Sequence, residues 1–120
     1  MALVGKLQIT PGRRVAVLHC PAGVDLGIAG GDLSDDPGAA DAAILFVTTS
    51  ADLSAPAADA IVAAAQRDAV TWVAYPKARQ LGTDLNRDSL AALLIERGVR
   101  PVRQIAIDEV WSALRFRPHR

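Results

Sequence analysis

Five short apolar runs, bounded by glycine, proline or aspartate, limit this chain to an α/β arrangement. They are Arg14 to His19, Ala43 to Thr48, Val70 to Tyr75, Val102 to Ile107 and Trp111 to Arg117, each the length of a strand. After the second run, Ser50 or Ser54 can cap a helix by offering a side-chain oxygen to free amides, and Pro56 is tolerable within its first turn. This helix is expected to reach about Arg67. After the third run, Asp88 is placed to cap a helix over Ser89 to Arg97, where Leu90, Leu93, Leu94 and Arg97 recur at helical spacing and Gly98 supplies the stop. The first four runs are near-continuously apolar, as parallel strands covered on both faces are. The fifth follows the fourth after only Asp108-Glu109-Val110, too short for a crossover, so it must return antiparallel. Gly23 to Leu33 is weak as either helix or strand, because Gly27, Gly30 and Gly31 interrupt it, and a short strand or turn is expected there before a loop over 34–38.

The 120 residues leave room for one domain, and a chain of that length hides roughly two thirds of its unfolded surface. With 51% hydrophobic and 22% charged residues, neither disorder nor a fibrous class is indicated. No apolar run approaches the ~18 residues of a membrane span. The first six residues carry no charged leader followed by a long apolar stretch, and a cytoplasmic location is expected. Cys20, the single cysteine, excludes an internal disulfide and fits a reducing compartment. It follows His19 at the end of the first run, where neighbouring side chains point to opposite faces. A shared metal is therefore disfavoured, and Cys20 is expected to be a small buried thiol.

Formal charge is zero but polarised: residues 1–60 carry three basic and seven acidic side chains, residues 61–120 ten and six. Arg97, Arg100, Arg103, Arg115, Arg117 and Arg120 crowd the C-terminal quarter. A phosphate-rich partner could use such a patch. The balanced net charge and five aromatic residues nevertheless argue against nucleic acid.

Where a dinucleotide-binding domain would place G-x-G-x-x-G after its first strand, this chain has Cys20-Pro21-Ala22-Gly23-Val24-Asp25. Leu7-Gln8-Ile9-Thr10-Pro11-Gly12-Arg13-Arg14-Val15, Asp41 to Val47 and Val70 to Tyr75 resemble the first, fourth and fifth strands of the S-adenosylmethionine-dependent methyltransferase fold. The antiparallel last strand resembles the tail of that fold. Tyr75-Pro76-Lys77, Thr83-Asp84-Leu85 and Asp108 to Phe116 more closely resemble an uncharacterised bacterial family of short proteins with a domain of unknown function, over about Leu7 to Pro118. The resemblance implies a small Rossmann-like three-layer sandwich, its sheet mostly parallel with an antiparallel C-terminal strand. The chain departs from the methyltransferase pattern at the glycine loop. It departs again where an acidic residue should close a second strand, for which Asp25 and Asp32 are the candidates. No cofactor is implied.

In open α/β sheets, ligands bind beyond the carboxyl ends of the strands. That edge would collect Cys20 to Gly23, Thr48 to Ser50, Pro76 to Thr83 and Asp108 to Glu109, with Trp111 and Ser112 starting the reversed strand there. The candidate ligand residues are Lys77, Thr83, Asp84, Asp108, Trp111 and Ser112, with Glu109 nearby. A lysine beside carboxylates and a tryptophan suits anion binding, a small polar ligand or acid/base chemistry; equally, Lys77 paired with Asp84 or Asp108 would simply pin a loop. Two function classes follow. One is a non-catalytic binding or regulatory module for a small ligand or protein partner; the other is a minimal enzyme, a methyltransferase or phosphate-substrate enzyme, working through Lys77 and the neighbouring acids. Self-association through the final strand could accompany either, although Arg115 and Arg117 beside Phe116 resist edge pairing.

Overall fold

A computed structural model of the protein describes residues 3–119 except 11, 29–31, 35 and 78–79. The chain forms a one-turn helix α1 (Leu3–Lys6), β1 (Val15–Leu18), β2 (Ala42–Phe46), a 3-10 turn (Ser50–Ser54), α2 (Pro56–Gln66), β3 (Val70–Pro76), α3 (Arg87–Ile95), β4 (Val99–Ala106) and β5 (Trp111–Pro118). All five expected strands are present, in one sheet of order β1-β2-β3-β5-β4. β1 pairs with β2 and β2 with β3 in parallel, while β5 runs antiparallel to both β3 and β4. β1 to β4 therefore point one way and β5 alone is reversed.

The sheet is thus mixed, and the expectation of a mostly parallel one is corrected. Because β5 folds back between β3 and β4, it replaces one parallel ladder with two antiparallel ladders, and these register more residues than the parallel pair. The same insertion makes β5 an interior strand, so self-association through it has no free edge to use. The free edge on that side is β4, which is blunted by Pro101, by a register shift between Pro101 and Arg103, and by exposed Arg100 and Arg103.

Strand alternation divides the core between the two faces of the sheet. On one, Ala43, Leu45, Val73, Tyr75, Leu114 and Phe116 meet Ile61, Val62, Ala64 and Ala65 of α2 and Leu90 and Leu94 of α3. The small residues Ala58, Ala64 and Ala65 are fully buried and let α2 lie close to the sheet. On the other face, Val15, Ala42, Ile44, Phe46, Trp72, Ala74, Trp111 and Ala113 are covered by Leu7, Ile9 and Leu26. Only α1 lies near this cover, so the described residues do not build the second helical layer of a three-layer sandwich. The glycine-interrupted segment after β1 forms no long helix among its described residues and supplies Leu26 from irregular chain instead. Of the doubtful 23–33 segment, Leu33 makes one isolated parallel bridge to Val15, and 29–31 lie outside the described residues.

The caps differ from those expected. α3 starts at Arg87, because Asn86 accepts from the Ser89 amide at 2.9 Å while the Ser89 hydroxyl accepts from the Asn86 amide at 3.0 Å. This reciprocal box outcompetes Asp88, which is left in the first turn, where a carboxylate complements the positive helix end. Neither Ser50 nor Ser54 caps α2; its N-cap is Ala55, with Pro56 at the first turn. Gly98, at φ +92°, ends the α3 segment in a conformation that disfavours any residue with a Cβ.

Trp72 is wholly buried at the centre of the weakly covered face, and its indole N–H donates to the Leu7 carbonyl at 2.9 Å. Trp72→Phe keeps most of the packing but orphans that carbonyl. The expected loss is about 1–3 kcal/mol, read as a lower urea midpoint with unchanged slope; an unchanged midpoint would show that the N-terminal segment is not held by this bond.

Candidate functional site

Because β1 to β4 point one way, the loops after them share the carboxyl edge, as anticipated. The side chains there are engaged in fastening those loops. Asp84 binds across to the loop after β2, accepting from the Ser50 amide at 2.8 Å and from the Ser50 hydroxyl at 2.5 Å. The Ser50 hydroxyl, followed by its amide, holds the Asp84 carboxyl below its ordinary range. Thr83 closes a local turn by accepting from the Leu85 amide at 3.0 Å. Asp108 accepts from the Val110 and Trp111 amides, each at 2.8 Å, and so shapes the β4–β5 hairpin turn.

Lys77 joins the same hairpin through its backbone, its amide donating to the Val110 carbonyl at 2.7 Å. Its side chain is half-buried and forms no ion pair with Asp84 or Asp108. Trp111 and Ser112 diverge, as successive strand residues must. Trp111 is buried edge-on against Phe46, with ring centroids 5.2 Å apart at 78°. Ser112 pairs with Tyr75 on the helix-covered face. There the Tyr75 hydroxyl accepts from the Gln104 side-chain amide at 3.0 Å, and burial raises its pKa. The six candidates thus share an edge, on which Asp84, Thr83 and Asp108 organise backbone and Trp111 is core. Glu109 is exposed in the turn.

A cavity lies beside β1, where the cofactor loop would begin. It has a volume of about 400 Å³, with apolar walls from Val17, Val24, Leu26, Ile28 and Leu33 and polar groups from Cys20, Asp25 and Ser34. β1 ends at Leu18, and His19 takes a left-handed φ of 58°, turning the chain out of the sheet. Cys20 is consequently exposed rather than buried as expected, with its sulfur 3.7 Å from the carbonyls of Pro21 and Val24. Partial desolvation, followed by the Asp25 charge, raises its pKa. A thiol held protonated in this way is a poor nucleophile at neutral pH. Asp25 accepts from the Gly27 amide at 2.8 Å, bending the segment so that Val24, Leu26 and Ile28 border the cavity. Their alternation was the available sequence signal, and the intervening glycines obscured it. Asp32, the other acidic candidate, is half-buried and does not line the cavity. Among the described residues, no group of three or more His, Cys, Asp or Glu side chains is placed to hold a metal ion.

A depressed Asp84 pKa means that the folded state binds this proton less readily than the unfolded chain. Its stabilising contribution is fully present above the ordinary carboxylate range and is lost as pH falls from there through the lowered folded-state pKa. Ser50→Ala should raise the Asp84 pKa towards its ordinary value in an NMR titration of the carboxyl carbon. An unshifted titration would show that Ser50 is not the cause.

Compared with protein-family models, curated proteins and solved structures, the chain matches none.

Proposed function

We propose that this protein is a non-catalytic binding or regulatory module, a methyltransferase-like scaffold without the cofactor glycine loop that takes a small ligand in the cavity beside β1. The observation that carries this reading is the division of labour at the carboxyl edge. Asp84 and Asp108, the acids an enzyme would need there, are committed to backbone groups, whereas the adjoining cavity is largely apolar. Its volume of about 400 Å³ falls within the range of small-molecule sites, roughly 300–1,000 Å³. Cys20 offers a protonated thiol, suited to packing and weak hydrogen bonding rather than to attack. The reversed β5 supports the scaffold part of the proposal, since a terminal antiparallel strand is where the resemblance begins. Occupancy of the cavity by a ligand would tie segment 24–28 to β1, a change that a protein partner could sense.

One observation favours the minimal-enzyme alternative: the half-buried Lys77 forms no ion pair among the described residues. That reading requires Lys77→Ala to abolish an activity, while the binding-module reading requires ligand affinity to survive the substitution.

Calorimetric titration with S-adenosylmethionine separates the proposed module from a working methyltransferase. No stoichiometric heat is expected, because the glycine loop that would let the backbone approach this cofactor is replaced after β1 by Cys20-Pro21-Ala22-Gly23. Tight one-to-one binding would overturn the proposal.

A further inference from the structure

Among the described residues, the arginines of the C-terminal quarter take no part in the cavity beside β1, and the register of the last hairpin sets four of them together. Arg103 lies directly opposite Arg115, and Arg100 opposite Arg117. Such cross-strand partners share a face with their Cβ atoms about 4.5–5.5 Å apart, and like charges so placed repel. Two consecutive like-charge pairs are a standing cost to the hairpin, which Asp68 offsets on the β5 side, whereas Arg100 and Arg103 on β4 have no ion pair among the described residues.

Arg117 is the one with a strong partner, a two-point pair to Asp68 at 3.0 and 2.9 Å. Arg115 donates to the neutral side-chain oxygen of Gln8, and its Nε is buried without an acceptor. Desolvation, and then the charge of Arg117, make the Arg115 guanidinium easier to deprotonate than usual, with Asp68 opposing them and Arg103 adding to them. Arg100 and Arg103 are exposed and form no side-chain ion pair among the described residues. A second cavity of about 310 Å³, bordered by Gln8, Thr10, Arg13, Asp41 and Asp68, adjoins the partners of Arg115 and Arg117, but its two carboxylates make it unsuited to an anion, which belongs on the exposed arginine face instead.

We propose that this corner of the β4–β5 hairpin binds a small, multiply charged oxyanion, the diphosphate group of a soluble ligand, shared between Arg100, Arg103 and Arg115. Guanidinium forks match the spacing of phosphate oxygens and hydrogen-bond them at two points. An anion between facing arginines converts their repulsion into shared attraction. The formal net charge of the chain is zero, so the attraction is local to the corner rather than a property of the whole surface. A compact anion fits better than a nucleic acid strand, because Phe46, Trp72, Tyr75, Trp111 and Phe116, all five aromatics, are buried and none offers a base a stacking platform.

The test is calorimetric titration of the full chain with pyrophosphate, in sodium chloride adjusted to constant ionic strength, with a single-stranded thymidine oligonucleotide as the second titrant. Saturable pyrophosphate binding is expected, weakened about tenfold by Arg103→Gln or Arg100→Gln, each of which removes one charge-assisted contact, and unchanged by Arg87→Gln on α3. Without anion, R103Q should unfold at a temperature no lower than the parent, since it relieves a like-charge pair. Absent pyrophosphate binding, equal weakening by R87Q, or binding of the oligonucleotide alone would overturn the proposal. A lower unfolding temperature of anion-free R103Q would remove its like-charge premise.

Discussion

The indole of Trp72 is the contact on which this structure depends most. β2 and β3 are buried on both faces, yet among the described residues helices of more than one turn cover only one of them. On the other, the sheet is shielded by the segment around Leu7 and Ile9, which Trp72 ties down through its N–H while filling the space below. A sheet with one full helical layer and one improvised layer can bury its central strands only if that segment stays in place. The apolar cavity beside β1 follows from the same economy, since it lies where a continuous layer would have filled the space.

Strand identity and direction were legible because both are written locally. Apolar runs with sharp ends gave β1 to β5, and the three-residue connection Asp108-Glu109-Val110 required β5 to reverse. Which strand β5 would lie beside was not legible. Insertion between β3 and β4 is decided by long-range pairing, Tyr75 with Ser112 and Ala74 with Ala113, and no local pattern encodes it. The expected sheet was therefore too parallel, and its last strand was placed at an edge that β4 in fact occupies. The cap of α3 was misread for a smaller reason. Asp88 is a good cap in isolation, but Asn86 and Ser89 satisfy each other and start the helix earlier.

Site residues were legible as a shared edge and illegible as chemistry. Lys77, Thr83, Asp84, Asp108 and Trp111 do sit on or next to loops at one end of the sheet. Their roles are set by partners far away in sequence or by backbone amides: Ser50 for Asp84, the hairpin turn for Asp108, Phe46 for Trp111. Carboxylates in loops turn out here to be hydrogen-bond acceptors for the loops themselves. The apolar cavity was masked by Gly27, which broke the alternation of Val24, Leu26 and Ile28 into something that resembled neither strand nor helix. The C-terminal arginines, which in sequence suggested only a diffuse basic patch, become pairs once the β4–β5 register is known.

In the proposed module, the ligand sits in the cavity beside β1 rather than on the acid-bearing loops. Two-dimensional amide NMR of the labelled protein against a library of small, mostly apolar compounds tests it most directly. Shift changes are expected to concentrate on Val17, Cys20 and Val24 to Ile28, with Lys77, Asp84 and Asp108 little affected. Binding that instead clusters on Lys77 and Asp84 while leaving the β1 cavity silent would contradict it.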